Sequence, residues 1–270
     1  MQSGISIWAY SCPIPEAIRH AGRLGFEVIE LALNETGPMG LDVTRQEIDG
    51  YKAIAQEAGI ALPSLATGLY WSYGFTANDP TIRQKGEDIC KKQLEAAAML
   101  GADTILVVPG SVSSEVRYDT AYQRAQESLS RLAPMAQACG VKIGVENVWN
   151  KFLLSPVEFR RFLDELNHPY IGAYFDVGNV LVSGYPEHWI DILDKHLFKL
   201  HFKDFRTGVG SIQGFCDMLE GDVDYKAVMA ALQRVGYNGP AVAEVGVGNK
   251  DYADVQYIAI KNAMDAILKA

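Results

Sequence analysis

Short apolar runs alternate with longer amphipathic segments along the whole chain. Apolar runs at 5–8, 28–31, 61–66, 104–108, 142–145, 171–175, 197–202 and 241–245 predict eight strands. Between and after them, helical periodicity predicts segments at 15–24, 44–58, 80–100, 120–139, 155–166, 186–193, 224–235 and 251–268. The punctuation agrees with this reading. Pro15, Pro80, Pro156 and Pro186 stand at or near helix starts, and Gly25, Gly59, Gly101 and Gly140 just past helix ends. Ser155, Pro156 and Glu158 have the spacing of a capping box, and Asp224 is placed to cap the seventh helix. Strict alternation of eight strands with eight helices predicts a parallel α/β architecture. Several of the strands are unbroken apolar runs, as parallel strands covered on both faces require.

Two architectures alternate in this way, a (β/α)₈ barrel and an open doubly wound sheet. The count of eight, in a chain of 270 residues, matches the barrel, which typically takes about 250. No Gly-x-Gly-x-x-Gly follows the first strand, and no Gly-x-x-x-x-Gly-Lys-Ser/Thr occurs anywhere. No Pro/Gly/Ser linker or charge block divides the chain. The expectation is therefore a single TIM-barrel domain over residues 1–270.

Composition narrows the function classes. Hydrophobic residues make up 49% and charged residues 21%, which supports a large core. The net charge of -9 argues against a basic nucleic-acid face or a polybasic membrane patch. No apolar run reaches transmembrane length, and no signal-peptide pattern opens the sequence. Cys12, Cys90, Cys139 and Cys216 are scattered without a CxxC pair, so they read as reduced thiols in a cytoplasmic protein. A small-molecule substrate is expected, with no nucleic-acid or membrane partner. The sequence is compatible with a homo-oligomer.

In a (β/α)₈ barrel the active site lies at the C-terminal ends of the strands. Four polar residues interrupt core-like runs there. They are Glu146 after KIGV, Asp176 after YIGAYF, His201 within FKLHFKD, and Glu244 within PAVAEVG. A carboxylate in such a place is costly unless it is paired or binds a metal. Three carboxylates and one imidazole suit one hard or borderline divalent ion, Mn²⁺ first, with Mg²⁺, Co²⁺ or Zn²⁺ as the alternatives. Four protein ligands leave two octahedral positions for adjacent oxygens of a hydroxy-ketone. Such a site acidifies the neighbouring C–H and stabilises an enediolate.

The strings VENVWNKFLLSP, YFDVGN, GYPEHWI, HFKDF, EGDVDY and GYNGP followed by AVAE resemble the sugar phosphate isomerase/epimerase family. These are the xylose-isomerase-like TIM barrels. They include L-xylulose/L-ribulose 5-phosphate 3-epimerases and D-tagatose/D-psicose 3-epimerases, with hydroxypyruvate isomerase, inosose dehydratase and endonuclease IV as relatives. The motifs span Glu146 to Glu244. The resemblance implies that Glu146, Asp176, His201 and Glu244 bind the metal. It also implies that Glu146 and Glu244 are the acid/base pair.

The chain departs from the tagatose type at two points. That type has a His three residues after the metal Asp, where this chain has Asn179. DVGN is closer to the phosphate-sugar branch. The tagatose type also has an Arg six residues after the metal His, and the nearest candidate here, Arg206, comes one residue early. Five histidines and a net charge of -9 do not suit the His-rich zinc site and basic DNA face of endonuclease IV.

Asn179, Lys203, Arg206, Trp8, Trp149 and Asn150 are the expected substrate-binding residues. Tyr10, Glu30, Asn34 and Trp71 are further strand-end candidates. A helix N-terminus near Gly221 could bind phosphate, but Asp222 and Asp224 oppose an anion there. The expected activity is divalent-metal-dependent epimerisation of a ketose or ketose phosphate at C3 through a cis-enediolate. An aldose–ketose or hydroxypyruvate-type isomerase and a keto-inositol dehydratase would use the same metal site. A sugar-binding barrel without turnover is the non-enzymatic alternative.

Overall fold

The computed structural model describes residues 1–269. Eight parallel strands form a closed barrel: β1 (Gln2–Ser6), β2 (Val28–Leu33), β3 (Ser64–Thr67), β4 (Thr104–Val107), β5 (Lys142–Glu146), β6 (Ile171–Asp176), β7 (Leu197–Phe202) and β8 (Pro240–Ala243). Each is followed by a helix: α1 (Ile14–Arg23), α2 (Arg45–Glu57), α3 (Pro80–Leu100), α4 (Tyr118–Cys139), α5 (Pro156–Leu166), α6 (Pro186–Leu193), α7 (Tyr225–Arg234) and α8 (Ala253–Leu268). Neighbouring strands follow chain order. β8 closes the circle on β1, with Gln2 opposite Pro240 and Ile5 opposite Ala243. Closure decides against the open sheet.

Local chemistry sets the element ends. Asp79 accepts from the Thr81 amide and Pro80 takes the first turn of α3, which stops at Gly101 in the left-handed region (φ 83°). α2 opens with a complete capping box between Thr44 and Glu47, which the sequence reading passed over. The box expected at α5 is only half formed. Ser155 accepts from the Glu158 amide, but the Glu158 carboxylate turns to the Tyr118 hydroxyl (2.6 Å) and the Leu154 amide (3.1 Å).

Three differences from the expected elements bear on the site. β1 ends at Ser6, not Trp8, because the Ser6 hydroxyl accepts from the Trp8 amide and starts a 3₁₀ turn over Ile7–Ala9. Trp8 therefore stands on the rim of the barrel rather than in a strand. β2 runs on to Leu33, so Glu30 lies in the middle of a strand rather than at its end. After β7 the chain makes an unexpected antiparallel ribbon, with Asp204–Phe205 against Phe215–Cys216.

Side chains alternate along a strand, so every second residue faces the lumen. Glu30 of β2, Ser64 of β3, Tyr174 of β6 and His201 of β7 meet one another. In the barrel order β1 and β8 stand between β2 and β7, so these contacts cross the lumen. Gly144 of β5 leaves room for the tyrosine, since a Cβ there would come 3.0 Å from that of Tyr174.

Candidate metal centre

Glu146 ends β5 and Asp176 ends β6. His201 is the penultimate residue of β7, in register with Asp176. Glu244 follows β8 directly, its amide still bonded to the Phe202 carbonyl of β7 at 2.9 Å. The sequence separates these residues by up to 98 positions (244 minus 146), yet one ligand atom from each lies within 4.8 Å of all the others. Asp176 and His201 are fully buried and Glu146 nearly so.

Three of the four residues carry a buried atom without a hydrogen bond. Among the described residues, five buried side-chain N or O atoms have no hydrogen-bond partner, and three of them are Asp176 Oδ2, His201 Nδ1 and Glu244 Oε2. Buried polar atoms in folded proteins are otherwise almost always satisfied. His201 Nδ1 stands 3.4 Å from both Glu146 Oε1 and Glu244 Oε2. Lys203 Nζ makes ion-pair contacts with Glu244 Oε2 (2.6 Å) and Asp176 Oδ2 (3.2 Å).

Charge accounting points the same way. Glu30, Glu146, Asp176 and Glu244 supply four acids, against Lys203 and at most one imidazolium. Burial pushes the Glu146 carboxyl up to about 7, against the lowering by the neighbouring His201 imidazole. Burial also raises Asp176, ahead of the lowering by Lys203. It acts in the same direction on Glu244, but there Lys203 and His201 outweigh it and hold the carboxyl below its ordinary range. A divalent cation among these atoms would relieve both the excess acid and the unsatisfied atoms. The donor set fits a divalent metal ion.

Neighbouring side chains brace this cluster. Asn147 clamps the end of β6, donating to the Asp176 carbonyl at 2.8 Å and accepting from its amide at 2.9 Å. The Asn179 amide donates to Asp176 Oδ1 at 2.9 Å, and its side chain donates to the Asn147 carbonyl at 2.9 Å. Asp204 accepts from the Phe205 and Val223 amides and packs against Gly221, fixing the turn that carries Lys203. Asn147 and Asp204 escaped the sequence reading. The only trace of them was their place beside Glu146 in VEN and beside Lys203 in FKD.

Two adjoining cavities of about 400 and 360 Å³ open above the cluster and share Trp8, Lys203, Phe215 and Glu244. Trp71, Trp149, Asn179 and Glu146 line the second. Of the expected substrate-binding residues, Trp8, Trp149, Asn179 and Lys203 thus face the cleft. Two others are placed elsewhere. Arg206 turns outward to Glu220 (2.6 Å) because the ribbon after β7 carries it away from the lumen. Asn150 is buried and ties two loops together, donating to the Gly110 carbonyl of the loop after β4 at 2.6 Å and accepting from the Phe152 amide of its own loop. Tyr10 stacks on Tyr257, and Asn34 closes a turn onto the Pro38 carbonyl. The four cysteines are free, and among the described residues no helix is long and apolar enough to cross a membrane. A larger hollow of about 950 Å³ beside α4 and α5 is lined by none of the four ligand-type residues.

A family model described as the xylose isomerase-like TIM barrel matches residues 18–262. The chain belongs to this family. The xylose isomerase-like barrel here is 25% identical over 239 residues to an L-ribulose-5-phosphate 3-epimerase of Salmonella paratyphi C, covering 85% of this chain and 81% of that protein. Its fold is similar to a D-psicose 3-epimerase from Clostridium cellulolyticum H10 solved with D-tagatose, with a TM-score of 0.83, 19% identity and 99% of both chains covered. It is also similar to a 3-keto-D-glucoside 4-epimerase from Escherichia coli, with a TM-score of 0.81, 18% identity and 100% of both chains covered.

The metal reading carries a stability prediction. Mn²⁺ at about 100 times its Kd should add about 2.7 kcal/mol to folding. That corresponds to roughly 5–11 °C in the thermal midpoint of a chain this long, reversed by EDTA. His201→Ala should lose most of the gain. No shift with Mn²⁺, Mg²⁺, Co²⁺ or Zn²⁺ would reject a metal centre.

Proposed function

We propose that this chain epimerises a ketose or ketose phosphate at C3 through a cis-enediolate. The observation that carries the reading is the convergence of Glu146, Asp176, His201 and Glu244 at the floor of a cleft walled by indoles. The relatives named above as 3-epimerases of a pentulose phosphate and of D-psicose support the same reaction on this scaffold.

Those four residues would hold a divalent ion, which when bound would supply Lewis-acid polarisation of the substrate's oxygens. Glu146 and Glu244 leave β5 and β8, three positions apart in the barrel order. They approach a sugar between them from different sides. One removes the C3 proton and the other returns a proton to the opposite face. Lys203 is the cation nearest Glu244, and it donates to a substrate oxygen that gains charge in the enediolate. Trp8, Trp71, Trp149 and Phe215 shield the reacting carbons from water.

The test is a panel of free and phosphorylated ketoses incubated with Mn²⁺-loaded and with chelated protein. At least one ketose should yield its C3 epimer, and only with metal. A metal-loaded protein that turns over none of the panel rejects the reading.

A further inference from the structure

The best-satisfied ionisable group in the lumen is Glu30, one layer below the four ligand-type residues. It is fully buried, as are its hydrogen-bond partners Ser64, Tyr174 and His201. Its Oε1 lies 2.8 Å from His201 Nε2. Its Oε2 accepts from Ser64 Oγ at 2.7 Å and from the Tyr174 hydroxyl. The Tyr174 ring also rests against the imidazole, with centroids 4.6 Å apart. Four strands thus contribute one closed group of side chains.

We propose that Glu30, backed by Ser64 and Tyr174, is a positioning residue that fixes the tautomer and aim of His201, so that Nδ1 faces the metal. The argument is donor accounting. An ionised carboxylate only accepts, so each of its three neighbours must donate to it. Ser64 and Tyr174 spend their single protons on Oε2, and His201 must carry its proton on Nε2. In the neutral ring Nδ1 then holds a lone pair, aimed at the gap between Glu146 and Glu244. The opposite tautomer would turn the Nε2 lone pair on a carboxylate oxygen 2.8 Å away. It would also leave Glu30 short of one donor in a dry site, where an unmatched charge is costly. A carboxylate behind a metal-binding imidazole fixes the ring and raises its basicity, and removing such a partner costs about 10–100-fold in metal affinity.

This inference rests on the metal centre proposed above, and the experiment separates the two. Protein labelled with ¹⁵N-histidine is titrated with Zn²⁺ alone, a diamagnetic probe, in competition with a chelator of known affinity. Long-range ¹H–¹⁵N spectra read the tautomer of His201, identified among the five histidines by its absence in His201→Asn. The wild-type ring should carry its proton on Nε2 and bind Zn²⁺ through Nδ1. Glu30→Gln keeps the volume and removes the charge, so the Zn²⁺ Kd should rise about 10–100-fold and the His201 signals should show mixed tautomers. Tyr174→Phe tests the same chain without touching the carboxylate, and serves if Glu30→Gln does not fold. It should weaken Zn²⁺ binding in the same direction by less. If every folded variant of the two binds Zn²⁺ within twofold of wild type with Nε2 still protonated, the positioning role is overturned while the metal centre stands. If the wild type itself binds no Zn²⁺ through His201, both are overturned.

Discussion

Glu146→Gln and Glu244→Gln are each expected to lower kcat by about 10²–10⁴-fold with metal saturating, the usual worth of a positioned acid/base group. Glutamine keeps the shape of the buried side chain, so the barrel should keep its fold. What is lost is the group that takes or returns the proton. Epimerisation needs two such groups, because a proton removed from one face must be replaced from the other. Each variant also loses an anionic ligand, so the comparison must be made at saturating metal. His201→Ala provides the contrast. It removes a ligand but no base, so raising the metal concentration should restore much of its activity. Steady-state kinetics over a metal series reads both effects. Either glutamine variant running within threefold of wild type at saturating metal would rule out the two-base mechanism.

Incubated with substrate in D₂O, the enzyme should place deuterium at C3 of the ketose, invert that centre and form no aldose. The carbon labelled identifies the reaction, since an enediolate between C1 and C2 would instead label those carbons and release an aldose. NMR of the sugar, recorded after the Mn²⁺ is removed, distinguishes the two. The barrel geometry adds a finer expectation. Glu146 and Glu244 rise from β5 and β8, and each serves the face it reaches. With Glu146→Gln, exchange should persist from only one of the two epimers, through Glu244. Label at C1 or C2 together with an aldose would overturn the C3 reading in favour of an isomerase. Comparing free and phosphorylated ketoses in the same assay identifies the substrate branch.

Much of this protein could be read locally. Helices α3 and α6 and strand β7 match their expected limits to the residue. Proline in the first turn of both helices, and Gly101 after α3, fix those limits within a few residues of sequence. Readings failed where a polar side chain took a partner that the local pattern did not indicate. Ser6 stopped β1 by accepting from Trp8, against an apolar run that invited two more strand residues. Glu158 had the spacing for a reciprocal cap but found the Tyr118 hydroxyl, 40 positions away in sequence.

By itself the sequence determined that eight strands would alternate with eight helices, and that acids and an imidazole would stand at consecutive strand ends. Both follow from periodicity, which a chain carries in its local order. Only the tertiary structure decided what each polar group faces. It sent Arg206 out to Glu220 and turned Lys203 in to Glu244, from positions three residues apart. It also brought Glu30 within 2.8 Å of His201 across 171 positions of chain. No local pattern encodes such a pair. It forms because barrel closure sets β2 and β7 across the lumen from each other, and a buried carboxylate there must find donors or lose its charge.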